Sequence, residues 1–98
     1  MSDRFQDLIK EFVKRCGNDA AVLATIAGET TIGLESANTV RKLAHSLAGA
    51  GGTFGFPDVS TAAGAVEELL VAGIAADEAS ARDALQVLVT ALKRVASA

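Results

Sequence analysis

Apolar residues recur at steps of three and four along most of the chain, which is the pattern of amphipathic α-helices. The first run extends from Ser2 to Ile26, and Gly17 with Asn18 marks a place where this helix could bend or split. The segment 27–33 contains a glycine stop and two threonines suited to capping the next helix, so it predicts a loop. The apolar stripe of the first helix consists of Phe5, Leu8, Ile9, Phe12, Val13, Cys16, Leu23 and Ile26.

Two further helices are predicted to follow this loop. The second begins near Glu35 and ends about Gly55, because a proline at position 57 disfavours helical backbone at Phe56. The third begins at Pro57 and runs to about Gly73, a suitable terminator. The buried sides of these helices are predicted to be Val40, Leu43, Ala44, Leu47, Gly51 and Phe54, and Val59, Ala62, Ala63, Val66, Leu69 and Leu70.

A fourth helix is predicted from the segment 77–80 to the C-terminus, with Asp77 or Ser80 as its cap. Its stripe is Ala81, Ala84, Leu85, Leu88, Leu92 and Val95. Four helices with short connections predict an all-α fold, an up-down-up-down antiparallel four-helix bundle. The sequence contains no internal repeat, so residues 1–98 are expected to form a single domain.

Composition supports this fold class and removes several function classes. Half of the 98 residues are hydrophobic and there is no Trp or Tyr, which favours close-packed helices. A net charge of -3 provides no basic field for nucleic acid. No apolar stretch is long enough to cross a membrane, and the charged N-terminus does not resemble a secretory signal. We therefore expect a cytoplasmic protein that binds neither nucleic acid nor membrane, and a monomer.

The only histidine, His45, lies in the second helix just before a cluster of small residues. Taking Val40 as the centre of the buried face, the remaining stripe falls within roughly 60° of it, whereas His45 falls about 140° away. The imidazole is therefore predicted on the solvent side. Arg41 and Lys42, four and three residues earlier, are the nearest cations, so an anion at His45 would find positive charge close by.

The glycines after His45 weaken the helix and require an explanation. Each mid-helix glycine costs roughly 1 kcal/mol relative to alanine. Gly51 faces inward, where it lets a neighbouring helix approach closely. Gly49 and Gly52 face outward, and with Ala48 they are predicted to leave a bare surface beside the imidazole for a partner to dock on.

Other chemistries fit these residues poorly. The segment GAGGTFG, 49–55, matches neither the phosphate-binding P-loop pattern nor the dinucleotide-binding pattern. A metal site needs several converging ligands, and the chain has one histidine and one cysteine on different helices. Cys16 lies on an apolar stripe and is interpreted as inert core. Ser46 points away from His45, so no hydrolase set of nucleophile and base is assembled.

The segment AHSLAGAGGTFG, 44–55, resembles the motif of the histidine phosphotransfer (HPt) family, H-x-L-K-G followed by small residues and a further glycine. His45, Leu47, Gly49 and Gly55 match, and Glu67 stands 22 residues after the histidine, where the family usually has an acidic residue. The resemblance covers the second and third helices, and the first and fourth only by architecture.

The resemblance implies a phosphoryl carrier of a two-component phosphorelay rather than a turnover enzyme. His45 would accept a phosphoryl group from the aspartyl phosphate of one receiver domain and pass it to the aspartate of another. Response-regulator receivers and a hybrid sensor histidine kinase would be the partners. The carrier would need no cofactor of its own, since Mg²⁺ is expected on the partner receiver.

One departure from the family keeps a second function open. The family's usual lysine three residues after the histidine is Ala48 here. Arg41 and Lys42 could replace its charge, although a solvated helix surface is an equally good interpretation of both. For Glu67, a structural hydrogen bond or cap is favoured over chemistry. The alternative function is a non-catalytic helical module that docks on a receiver or kinase without phosphotransfer, and self-assembly through the fourth helix is a more distant one.

Overall fold

Four α-helices make up the part of the chain that the computed structural model describes, residues 2–71 and 78–97, and this part contains no strand. The helices are α1 (Ser2–Ala27), α2 (Leu34–Phe54), α3 (Pro57–Val71) and α4 (Glu78–Ser97). The predicted all-α class is therefore confirmed. None of these helices combines the length and the apolar character needed to cross a membrane.

Helix α1 is continuous through Gly17 and Asn18, so the expected split is wrong. The reason is packing against α4, because a Cβ at Gly17 would lie 3.4 Å from the Cβ of Ala96. The helix ends as predicted before Gly28, whose N–H donates to the carbonyl oxygens of the previous turn. Tertiary contact therefore holds a glycine in helical conformation where local propensity alone is weak.

Helix α2 starts without a side-chain cap, which contradicts the expected role of the two threonines in the loop. Gly33 occupies the N-cap position, and its carbonyl accepts the N–H of Ala37 at 2.9 Å. The loop is tied to α2 by the hydroxyl of Ser36, which donates to the carboxylate of Glu29 at 2.9 Å. The threonines are thus not needed to anchor the start of the helix.

The end of α2 depends on Gly55, which has the left-handed backbone φ of 84°. Such a residue closes a helix by turning its N–H back to the last carbonyls, and here the N–H groups of Gly55 and Phe56 both donate to the carbonyl of Gly51. Pro57 then begins α3 at once. The connection between α2 and α3 is therefore only two residues long and holds the two helices close together.

Only one of the remaining predicted helix ends lies within the described residues. Ser80 lies inside α4 and is not its cap, because the helix begins at Glu78. The other two expected termini, Gly73 and Asp77, lie outside the described residues.

The helices enclose one core and pack in a ring. Helix α2 packs most extensively on α3, α1 on α4 and α3 on α4, whereas α1 and α2 share the smallest interface. In the described part, no close backbone approach joins α1 to α3 or α2 to α4. These contacts, in a body of 47 × 21 × 19 Å, are those of a helical bundle.

The apolar stripes supply most of the core, with exceptions in α1. Phe5 and Leu8 were expected to be buried but are 47% and 42% exposed. They lie in the first turns of α1, and the ring of Phe5 reaches only the edge of the core, 6.0 Å from that of Phe54. The core also buries small and β-branched residues outside the predicted stripes, namely Ala20, Ala27, Val89 and Ala91.

Candidate functional site

His45 lies on the outer face of α2, as predicted, with its side chain 77% exposed. The opposite face of the helix is buried in the core through Val40, Ala44, Leu47 and Gly51. Because successive helical residues are separated by 100°, this buried face directs the imidazole to solvent.

Glu67 of α3 is hydrogen-bonded to the imidazole, with Oε2 2.5 Å from Nδ1 of His45. The carboxylate is less exposed than the ring, 27% against 77%. Glu67 therefore forms a hydrogen bond, and its partner is the candidate functional residue itself. An ionised carboxylate only accepts hydrogen bonds, so Nδ1 carries the proton in this contact, and in the neutral imidazole Nε2 then keeps its lone pair.

A close approach of α2 and α3 brings these two side chains together. A Cβ at Gly51 would lie 2.9 Å from the backbone nitrogen of Ser60 and 3.2 Å from the carbonyl oxygen of Phe56, so only glycine fits. The hydroxyl of Ser60 also donates to the carbonyl of Ala48 at 2.7 Å. The predicted packing role of Gly51 is confirmed, and this spacing lets the carboxylate of Glu67 reach the ring of His45.

Three glycines near His45 and Glu67 leave the surface beside these two side chains uncovered. A Cβ at Gly49 would meet nothing within 4 Å, and one at Gly52 would meet only the hydroxyl of Ser60 at 3.7 Å. Sequence reasoning missed the third, Gly64, which also has open space above it and lies on α3 three residues before Glu67. We refer to Gly49, Gly52 and Gly64 as the glycine surface. Ala48 was also expected to form part of the bare surface beside His45, but it contributes less than expected because it is partly buried against the core.

Two cations lie within one turn of the histidine on α2. Arg41 and Lys42 are both exposed, and neither forms an ion pair with any residue in 2–71 or 78–97. Helical geometry places Arg41 on the α3 side of the line through His45 and Lys42 on the α1 side. They are therefore available to an anion that approaches from solvent.

A second polar cluster joins α1 to α2 beside the histidine and was not found from the sequence. The guanidinium of Arg15 donates through Nη2 to the hydroxyl of Ser46 at 2.8 Å. Its Nε donates to the carboxylate of Asp19 at 3.1 Å. Arg15 and Ser46 are 31 residues apart, so no local pattern could indicate the contact. Ser46 is thus engaged with Arg15 and not with His45.

Cys16 lies in the core with no exposed surface, as predicted. Burial, and secondarily the carboxylate of Asp19, raises the pKa of the Cys16 thiol to about 11, while Arg15 acts in the opposite direction. The thiol is therefore protonated at neutral pH and cannot act as a nucleophile. In the described part of the chain, no three His, Cys, Asp or Glu side chains converge as a metal site would require.

The arrangement is suited to nucleophilic attack by one imidazole nitrogen. Nε2 of His45 has no hydrogen-bond partner among the described residues, and the Glu67 carboxylate lies where it would offset positive charge that develops on the ring during such an attack. Open space above the glycine surface gives a large reactant access to the ring. No serine or cysteine hydroxyl or thiol within the described residues is hydrogen-bonded to His45 as a second nucleophile would be.

A comparison with protein families found that the Hpt domain model matches residues 7–98, nearly the whole chain. Comparisons of the chain with curated proteins and with solved structures found no match.

Proposed function

The chain belongs to the Hpt domain family, and on that premise we propose that it is a phosphoryl carrier of a phosphorelay with His45 as its acceptor. Hpt domains are phosphocarrier modules of phosphorelays and interact with receiver domains. For this chain, the donor would be the aspartyl phosphate of one receiver and the final acceptor the aspartate of another.

The observation that carries the proposal is an exposed imidazole whose Nδ1 is hydrogen-bonded to Glu67. Nε2 attacks the phosphorus of the aspartyl phosphate, the N–P bond forms, and the P–O bond to the aspartate breaks. The aspartate leaves as a carboxylate, so no proton has to be delivered to it. The reverse sequence on a second receiver returns Nε2 to its neutral state.

Charge on the ring is the main electrostatic cost of this step. The imidazole becomes cationic as the N–P bond forms, and the carboxylate of Glu67 offsets that charge through the hydrogen bond to Nδ1. Arg41 and Lys42 supply positive charge towards the phosphoryl oxygens, at a distance set by flexible side chains. Glu67 is therefore proposed as a part of the site, a larger role than its sequence position indicated.

We propose that the receiver docks over the glycine surface. The absence of side chains at Gly49 and Gly52 permits close approach of a second protein to the imidazole. The receiver would bring its own Mg²⁺, and the carrier's contribution is to position the ring for transfer. The hybrid kinase, the cytoplasmic location and the monomeric state expected from the sequence remain predictions.

We further propose that consecutive helices of the bundle run antiparallel. In three of the four packed helix pairs, two contacts show the relative direction of the helices. The contact that lies nearer the start of one helix lies nearer the end of the other helix. Between α1 and α2 the contacts are Phe5 with Phe54 and Arg15 with Ser46. Between α2 and α3 they are Gly51 with Ser60 and His45 with Glu67. Between α1 and α4 they are Gly17 with Ala96 and Ala27 with Arg82.

The proposed function is tested by incubating the protein with receiver domains carrying radiolabelled aspartyl phosphate. We expect label on the chain that is stable in base and lost in acid, as is characteristic of phosphohistidine. His45→Gln should abolish it while the helical circular dichroism signal is retained. Label that persists in His45→Gln would disprove the site.

Failure of the wild-type chain to accept label from any receiver would favour the alternative function, a module that docks without transfer. Ala48 in place of the usual lysine is the feature that motivates this alternative. In that case a receiver would still bind, with the same affinity for wild type and His45→Gln.

A further inference from the structure

Ser46, the residue after His45, differs in its hydrogen bonding from four other hydroxyl residues within the helices. Thr25, Thr39, Thr53 and Ser97 each donate to the backbone carbonyl four residues earlier. Ser46 instead accepts from Arg15, and within the described residues its own proton has no acceptor. The hydroxyl is exposed and retains a donor that can be directed to an approaching group.

The guanidinium of Arg15, next to Ser46, has unused hydrogen-bond donors. A guanidinium carries five N–H groups, and only one on Nε and one on Nη2 are used, by Asp19 and Ser46. The side chain is 36% exposed, whereas that of Asp19 is 13% exposed. Asp19, the less exposed of the two, therefore orients the guanidinium, and the remaining N–H groups of Arg15 lie near solvent.

The geometry points to a contact site for a carboxylate of the partner receiver, formed by the unused donors of Arg15 and the hydroxyl of Ser46. This inference rests on the proposed function of His45. A guanidinium fork matches the two oxygens of a carboxylate, and the Ser46 hydroxyl adds a neutral donor beside it. Lys42, one turn before Ser46 on α2, contributes further positive charge on this side.

The position of the cluster favours the partner's surface over the transferred phosphoryl group. Glu67 draws the imidazole of His45 towards α3. Ser46 projects about 100° away from His45 around α2, towards α1, where Arg15 holds it. A receiver centred on the imidazole would cover the seam between α1 and α2 with its rim, and the cluster would meet that rim.

The experiment compares wild type with Arg15→Gln, Arg15→Lys and Ser46→Ala in two reactions. The first is transfer from a phosphorylated receiver that labels the wild-type chain, followed as the second-order rate constant of transfer at several salt concentrations. The second is labelling of His45 by the small donor phosphoramidate, which has no protein surface. Arg94→Gln is the matched control, because Arg94 is exposed and lies on α4, whose backbone does not approach α2 closely within the described residues.

We expect Arg15→Gln to lower the second-order rate constant of transfer from the receiver by about 3- to 10-fold and to flatten its salt dependence. Ser46→Ala should lower it less, and Arg15→Lys should recover part of the loss, since it keeps charge without the fork. Phosphoramidate labelling should proceed at the wild-type rate in all three variants. A merely structural role of Arg15 would not change the salt dependence.

Two results would overturn the inference and leave the proposed function intact. One is equal receiver kinetics in wild type and Arg15→Gln. The other is an equal loss in both reactions, which would place the contact on the imidazole or its phosphoryl group. If no receiver labels the wild-type chain, the proposed function fails and this inference fails with it.

Discussion

Oε2 of Glu67 on α3 lies 2.5 Å from Nδ1 of His45 on α2, which couples the exposed imidazole to a carboxylate from a different helix. The contact assigns the Nδ1 proton, and in the neutral ring Nε2 is then free to act as the proposed nucleophile. It also stabilises the ring when it becomes cationic.

Glu67→Gln is therefore expected to slow phosphoryl transfer to His45 by about 10-fold. An amide can still accept a hydrogen bond from Nδ1, but it carries no charge to offset the imidazolium, and hydrogen bonds to charged groups contribute about 1.5–3 kcal/mol when well formed. The lower end applies because the pair is partly exposed. The measurement is the single-turnover rate from a phosphorylated receiver.

The matched control for this variant is Glu68→Gln, since Glu68 is the next carboxylate on α3 and is exposed. It removes the same charge from the same helix without touching His45. Equal rates for the two variants would show that the hydrogen bond of Glu67 does not contribute to transfer.

Gly52→Lys should reduce transfer from a receiver by about 10-fold, which corresponds to roughly 1.4 kcal/mol of lost docking. A Cβ at Gly52 meets only the Ser60 hydroxyl at 3.7 Å, so the fold accommodates the new side chain. The side chain instead occupies the space in which the receiver must sit. Gln86→Lys adds the same side chain on an exposed position of α4 and should transfer normally. Normal transfer by Gly52→Lys would rule out docking over the glycine surface.

Gly51→Ala and Gly49→Ala are expected to change stability in opposite directions. At Gly51 the added methyl would lie 2.9 Å from backbone nitrogen, so α2 and α3 must separate, at a cost of about 1–3 kcal/mol. At Gly49 it meets nothing within 4 Å, and the better helix propensity of alanine should add about 0.5–1 kcal/mol. Urea denaturation measures both. Equal midpoints would contradict the close approach of α2 and α3.

Transfer by the Gly51→Ala variant provides a second measurement. Separation of α2 from α3 lengthens the contact between His45 and Glu67, so the variant should also transfer more slowly at temperatures where it is fully folded. Gly49→Ala leaves that contact in place.

The buried thiol of Cys16 predicts a loss of stability in alkali. Its pKa is raised from an ordinary 9.0 to about 11, so folding favours the protonated thiol. This contribution is complete below pH 9 and is lost as the pH rises through about 11, a decrease of about 2–3 kcal/mol in the free energy of unfolding. Urea denaturation from pH 8 to 11 checks it, and the chain has no tyrosine to titrate in the same range.

Cys16→Ala is the comparison for this series. It should be less stable at pH 8, because it leaves a cavity in the core, but its stability should fall less steeply between pH 9 and 11. Parallel curves for the two proteins would show that the thiol does not ionise with the expected shift.

The sequence by itself determined which face of each helix is buried. Helical periodicity links spacing to direction, so the outward position of His45 and the inward position of Gly51 followed from counting residues. The left-handed turn at Gly55 and the start of α3 at Pro57 are likewise local, since each depends on the backbone of one residue.

Only the tertiary structure decided which side chains meet across helices. The offset and rotation of α2 against α3 bring Glu67 to His45, and those of α1 against α2 bring Arg15 to Ser46. Helix packing is set by the summed fit of many core side chains, which no spacing within one helix encodes. The same reason left Phe5 half exposed at the edge of the core and kept α1 continuous through Gly17.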